Sequence, residues 1–320
     1  MSAHGFQRPW RDGGRSCILM LGMHRSGTSA LTRVLNLLGA ALPRHLMDAH
    51  STNEAGHWEP ERLVNLHDQM LAEAGSRWDD WRKLDLGVLP PERLDFYKSE
   101  IRRLIEEEYR NAPLFVMKDP RICRFVALYQ DILGNMGIDA KYVLIHRNPL
   151  AVAASLKVRN DMPEACSQLL WLRHVLEAAK ATRDCTRSFL SYEALLADEG
   201  SHVKELGGAL AVTWPKRSAD TMVEIRSSLR RDLQHQKADA EALKKAAPAA
   251  RWLEVLWLAL EQAADTGKEP IAKFQSVEQA FHKAEESAAR SDFSEASAMA
   301  VIRAGEQIEI AARDAQMQNW

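Results

Sequence analysis

The chain has 320 residues, 46% hydrophobic and 27% charged, with a formal net charge of −2. That length allows one large core, or one domain with an appendage. The near-neutral balance excludes a general coat for nucleic acid, so any anion site has to be local.

Residues 1–15 are polar and rich in Gly and Arg, without the apolar centre of a signal peptide, and are expected to form a disordered tail. No apolar run reaches the ~18 residues of a membrane span. Cys17, Cys123, Cys166 and Cys185 have neither paired nor metal-ligand spacing. They are expected to be reduced thiols of a cytoplasmic protein.

The first element is an apolar run, Cys17 to Leu21, that reads as a strand. A turn follows through Gly22-Met23-His24-Arg25-Ser26-Gly27-Thr28-Ser29. Leu31, Val34, Leu35 and Leu38 then recur at helical spacing, and Gly39 is a C-terminal stop. Strand, glycine-bounded loop and helix together make a phosphate cradle, in which loop N–H groups and the helix N-terminus converge on one anion. Gly22 and Gly27 have Walker A separation, but Thr28 stands where that motif has lysine. The cation is Arg25, inside the loop, with the Thr28 and Ser29 hydroxyls beside it. The loop therefore suits a 5′-phosphate group and lacks the lysine of a nucleoside triphosphatase.

Residues 43–61 form a polar and aromatic loop placed to reach over such a site, with Glu54, His57, Trp58 and Glu59 in it. Leu63, Leu66, Met70 and Leu71 predict a helix over 61–74, and a tryptophan-rich patch follows at 78–81. Pro90-Pro91 opens another helix. Residues 114–117 form a short strand ended by Lys118-Asp119-Pro120-Arg121, and 141–146 form the next, ended by Arg147-Asn148-Pro149. Helices are expected from Pro149 and over 165–183, then a strand over 187–191 ending at Tyr192. The alternation predicts an α/β fold, a P-loop-like parallel sheet with helices on both faces, over 16–215. Arg25, Lys118, Arg147 and Tyr192 each fall at or just past a strand's carboxyl end, where such sheets bind ligands.

From 216 to 320 the strands disappear, and a C-terminal helical extension is expected, read first as a solvated bundle in a structural role. A linker is expected near 232–248. Trp252, Val255, Leu256 and Leu260 mark one helix, Ser276 with Gln279 reads as the capping box of a second, and Asp292 with Glu295 as the start of a third. Association of copies through these helices is an open alternative.

Three segments resemble the sulfotransferase family, whose members use 3′-phosphoadenosine 5′-phosphosulfate (PAPS). Gly22 to Ser29 is similar to the family's 5′-phosphosulfate loop. His146-Arg147-Asn148-Pro149 through Ser155 resembles its 3′-phosphate motif, with Arg147 and Ser155 at the motif's spacing. Residues 189–198 resemble the segment whose tyrosine lies near the adenine, here Tyr192. Lys118 to Arg121 is similar to the lysine segment of the bacterial and tyrosylprotein branches. The resemblance spans about residues 15–210.

The resemblance implies a sulfotransferase that binds PAPS through Gly22, His24, Arg25, Ser26, Gly27, Thr28, Ser29, Arg147, Ser155 and Tyr192. It implies transfer to a hydroxyl or amine of a small molecule, glycan or lipid, with release of adenosine 3′,5′-bisphosphate and no need for a metal. Lys118 and Arg25 would meet charge on the leaving oxygen. The histidine base of cytosolic members is replaced by Pro120. Glu59 fits the base of other branches, with Glu54 and His57 as alternatives. The C-terminal Gly-x-x-Gly-x-x-Lys loop of cytosolic members is missing, and Arg230 and Arg231 are candidates to cover the 3′-phosphate. The competing readings are a P-loop kinase or NTPase and a non-catalytic nucleotide-binding module of the same fold.

Overall fold

The computed structural model describes residues 14–48, 56–197, 201–229, 243, 250–288 and 292–318. Four short strands form one parallel sheet: β1 (Ser16–Leu21), β2 (Leu114–Lys118), β3 (Asp139–His146) and β4 (Arg187–Ser191), in spatial order β2-β1-β3-β4. Chain order steps from β1 to β2 on one side, then crosses to β3 on the other. The switch point where ligands gather therefore lies between β1 and β3 at their carboxyl ends. Register keeps those ends level: Met20 pairs with Lys118, Leu21 with Leu144, and His146 with Ser191.

Every β1 residue is buried, because helices cover both faces. Cys17, Leu19 and Leu21 point into one core. That core is built from α2 (Glu61–Glu73), α3 (Pro91–Tyr109), α4 (Val126–Asn135), α5 (Pro149–Asn160) and α6 (Glu164–Ala181). Ile18 and Met20 point the other way, onto α1 (Thr28–Leu37), α7 (Tyr192–Ala197), α8 (Ser201–Ala209) and α9 (Ala219–Ser228). This is the α/β architecture expected.

The C-terminal helices are α10 (Ala250–Thr266), α11 (Ile271–Ala288) and α12 (Glu295–Gln318). They do not stand off as a solvated bundle. Leu253, Leu256, Leu260, Phe274, Phe281 and Val301 are buried in the same core as β1, α3 and α6. Glu269, just past α10, also accepts hydrogen bonds from Arg183 and Arg187 at the foot of β4.

Three local expectations change. Ser276 does not cap a helix, because α11 already starts at Ile271 and Phe274 is buried within it; the alternation of Phe274, Val277 and Phe281 on the core side overrides the polar signature. Asp292 does stand before α12, but the backbone cap is Ser294, whose Oγ accepts from the Ser297 amide at 3.3 Å, while Asp292 accepts from the Ser294 amide and hydroxyl. Arg15 belongs to the fold, since its guanidinium pairs with Glu106 at 2.7 Å and lies over the Phe115 ring. Residues 1–13 of the tail, the linker apart from the buried Leu243, and Arg230 and Arg231 lie outside the described residues. No helix among the described residues is long and apolar enough to cross a membrane.

Candidate active site

The loop after β1 is set by two glycines. A Cβ on Gly22 would sit 2.6 Å from the Ile145 carbonyl oxygen, so β1 and β3 can approach only with glycine there. Gly27, the N-cap of α1, has φ 88° and carries the Tyr192 ring against its α-carbon; a Cβ would fall 2.1 Å from that ring. Arg25 also has positive φ, 69°. Two such residues flanking Ser26 fold the loop into a concave turn that aims amides at an anion. The α1 N-terminus has no side-chain cap, so its end of the helix dipole faces the same space.

A cavity of about 330 Å³ opens above this loop. That is within the ~300–1,000 Å³ of small-molecule sites. His24, Arg25, Gly27, Thr28, Ser29, Glu59, Lys118, Arg147 and Tyr192 all line it. Gly22, Ser26 and Ser155 stand behind the wall. Ser26 is fully buried and its Oγ has no partner among the described residues. Ser155 Oγ accepts from Arg25 Nε at 2.8 Å, and Arg147 Nη1 donates to the Arg25 carbonyl at 3.1 Å. The loop after β1 and Arg147 are therefore two walls of one cavity, with Ser155 bonded to Arg25 behind them. The Arg147 guanidinium also lies 5.2 Å from the Tyr192 ring centroid.

Lys118 closes β2 and is 3% exposed. Its Nζ donates to the Glu59 carboxylate, to the His57 carbonyl at 3.0 Å and to Ser29 Oγ at 3.2 Å. Burial pushes the Glu59 carboxyl above its ordinary value, and the Lys118 charge only partly opposes the rise. The other proposed bases differ in position. His57 lines the cavity and offers its carbonyl to Lys118 and Ser29, whereas Glu54 lies outside the described residues. His24 is buried, with its ring edge-on to Trp78 at 5.0 Å and Nε2 enclosed without a partner among the described residues. Burial first, then the Arg159 and Arg121 charges, hold its imidazole well below the ordinary value, so the ring is neutral.

Two further cations line the cavity without belonging to any motif, Arg33 and Arg159. Each sits one helical turn beyond a motif hydroxyl: Ser29 to Arg33 on α1, and Ser155 to Arg159 on α5. That four-residue spacing was the available signal. Arg33 lies over Trp58 and pairs with Glu224 of α9 at 3.2 Å. Arg159 lies over Trp78 and, among the described residues, pairs with no carboxylate. Burial, reinforced by Arg25, brings its pKa down to about 10. Five cations and one carboxylate thus face the cavity, and Leu196 and Leu229 add apolar wall beyond Tyr192. This donor set suits a polyanion that carries a flat apolar group.

Fold and cavity together define an α/β protein with a cation-lined cavity at the carboxyl ends of its strands. A sequence model described as the sulfotransferase family matches residues 17–216. The chain belongs to the sulfotransferase family. No curated protein matches its sequence. Among solved structures, it is similar to the sulfotransferase domain of the Synechococcus PCC 7002 olefin synthase, at 20% identity and TM-score 0.43, covering 80% of this chain and 98% of that one. The sulfotransferase domain from the curacin biosynthetic pathway gives 15% identity and TM-score 0.40, with 83% and 96% covered. Sulfotransferase STF1 from Mycobacterium tuberculosis H37Rv gives 16% and 0.38, with 68% and 72% covered.

Proposed function

We propose that this sulfotransferase takes its sulfuryl group from PAPS, passes it to an acceptor hydroxyl or amine, and releases adenosine 3′,5′-bisphosphate. One observation supports the reading most: His24, Arg25, Gly27, Thr28 and Ser29 of the loop after β1 and Arg147 at the end of β3 line one cavity, with Arg25 bonded directly to Ser155 behind its wall. A donor with phosphate at both its 5′ and 3′ positions needs two such walls and an aromatic face between them. Thr28, in place of the Walker lysine, gives no cation for a triphosphate at that position.

PAPS supplies an activated sulfuryl group bonded to the 5′-phosphate through a bridging oxygen. Arg147 grips the 3′-phosphate with its planar fork, and the Ser155 hydroxyl assists. The amides of the loop, with Thr28 and Ser29, hold the 5′ end. Arg159, half-buried and with no carboxylate partner among the described residues, adds fixed positive charge to the donor's side. Lys118 offers an N–H to the bridging oxygen, where negative charge collects as its bond to sulfur breaks. Glu59 takes the acceptor's proton as the new bond to sulfur forms.

Lys118 and Glu59 are linked in these roles. Their ion pair holds the Glu59 charge in the free protein. When Lys118 turns to the donor oxygen, that support weakens and the buried carboxylate becomes more basic at the moment a base is needed.

A thermal-shift titration tests the reading. Adenosine 3′,5′-bisphosphate without metal should raise the unfolding temperature, by the equivalent of ~2.7 kcal/mol at a hundredfold excess over Kd. Labelled sulfate should also pass from PAPS into an acceptor in a cell extract. Stabilisation by Mg-ATP and not by the bisphosphate would transfer the assignment to a kinase or NTPase. Bisphosphate binding without transfer to any acceptor would leave a binding module.

A further inference from the structure

Behind Lys118 lies a buried polar cluster that does not touch the cavity. His67 of α2 is fully buried, and its Nδ1 meets Asp119 Oδ2 at 2.7 Å. A carboxylate only accepts, so this nitrogen carries the proton. Nε2 is bonded to the Tyr129 hydroxyl at 2.6 Å. Asp119 Oδ1 accepts from both the amide and Nη1 of Arg121, each at 3.0 Å. Arg121 turns its other nitrogens to Asp68 of α2, at 2.6 and 3.0 Å. All polar valences of Asp119 are thus directed at α2 and at its own turn.

The two ends of this cluster are joined to the two reacting side chains. Asp119 follows Lys118 directly, at the end of β2. His67 and Asp68 lie on α2, the helix entered from Glu59 through Pro60. At ~1.5 Å per residue, His67 is ~9 Å along the helix from its first residue, a rigid lever of under two turns. The entry is pinned as well: Met47 N donates to the Glu59 carbonyl at 2.9 Å and Glu61 N to the His45 carbonyl at 3.1 Å. Buried ionic clusters of this kind add little net stability over an apolar replacement of equal volume. A role in stability alone therefore leaves its composition without a reason, whereas a role in geometry supplies one.

We infer that His67, Asp119, Arg121 and Asp68 form a positioning clamp that docks α2 on the end of β2 and so fixes the Glu59 carboxylate against Lys118. The inference rests on the assignment of Glu59 and Lys118 given above. None of the four touches substrate; they act through those two.

The test is a double-mutant cycle on the full chain. His67→Gln and Asp68→Asn are made in wild-type and Glu59→Gln backgrounds. Asp68 has a side chain 44% exposed, so its variant keeps the fold if His67→Gln does not. PAPS turnover is read as adenosine 3′,5′-bisphosphate released with a fixed cell extract as acceptor source. Binding of the bisphosphate is read by calorimetry. His67→Gln should lower turnover by ~10²-fold, the usual effect of a misplacement near 1 Å, and Asp68→Asn by less. Bisphosphate affinity should not change, because Arg25 and Arg147 stand on other strands' ends. In the Glu59→Gln background the same changes should cost nothing further. Equal losses in both backgrounds, or a lower unfolding temperature with turnover intact, would overturn the clamp. If Glu59→Gln itself turns over at the full rate, the base assignment fails separately, and a cycle against Lys118→Met decides the clamp by the same criteria.

Discussion

Glu59 carries the most specific chemical expectation. A base must be ionised to act, and burial raises the Glu59 pKa above its ordinary value of 4.5. Below the raised value the carboxyl holds its proton and turnover is off. Turnover should therefore climb with pH through a limb that lies above 4.5, and a pH–rate profile will locate it. Glu59→Gln should remove that limb, keep bisphosphate binding and lower turnover by ~10²–10⁴-fold, the range for a lost general base. An unchanged limb in the variant would show that another group titrates. The same site shows what a residue's neighbours decide. Arg33 and Arg159 carry no motif, yet helix spacing brings both to the cavity wall.

The turn from β1 into α1 is the element on which the proposed donor site depends. Gly27 is doubly constrained there, by φ 88° and by the Tyr192 ring against its α-carbon. Left-handed backbone costs an alanine ~1–2 kcal/mol, and overpacking against a fixed ring typically costs ~1–3 kcal/mol more. Gly27→Ala should lower stability by an amount in that combined range and weaken bisphosphate binding, since Tyr192 and the loop must separate. Denaturant unfolding and calorimetry measure the two effects. A variant with wild-type stability and affinity would show that loop and ring are not packed as described. The sequence marks this turn by its two glycines, while only the packing shows that Gly27 also makes room for the Tyr192 ring.

At the scale of the whole molecule, the family match ends at residue 216, but the core does not. Leu253, Leu256, Leu260, Phe274, Phe281 and Val301 complete the face of the sheet that α3 and α6 begin. Each such side chain contributes ~1.5–3 kcal/mol by burial, so together they supply on the order of 10 kcal/mol, comparable to the whole net stability of a domain. A chain ended after Lys216 should lose cooperative unfolding and aggregate, even though Gly22 to Ser29, Glu59, Lys118, Arg147, Ser155 and Tyr192 are all retained. Circular dichroism melting checks this. A truncated chain that melts cooperatively and binds the bisphosphate would show that the catalytic part folds alone. The C-terminal helices also reach the carboxyl end of the sheet, where Glu261 of α10 bonds His146 Nε2 at 2.8 Å, one residue before Arg147.

The amino-acid sequence alone determined the alternation of strands and helices, the glycine-bounded turn at Gly22–Ser29 and the family. These are local patterns: periodicity, glycine placement and short spacing within one element. It also spaced Arg147 and Ser155 so that the fold sets Arg147 in the cavity wall and Ser155 behind it, bonded to Arg25. Only the tertiary structure decided which charges meet. Lys118 and Glu59 lie far apart in the chain, and nothing in the spacing between them predicts an ion pair; the sheet order that brings β2 beside β1 creates it. The clamp behind them has the same origin, since His67 on α2 finds Asp119 only once β2 is docked. The C-terminal helices were legible as helices but not as core, because amphipathic periodicity shows that a face is buried and not what buries it. Local pattern is a property of neighbours along the chain, whereas a site is made by neighbours across the fold.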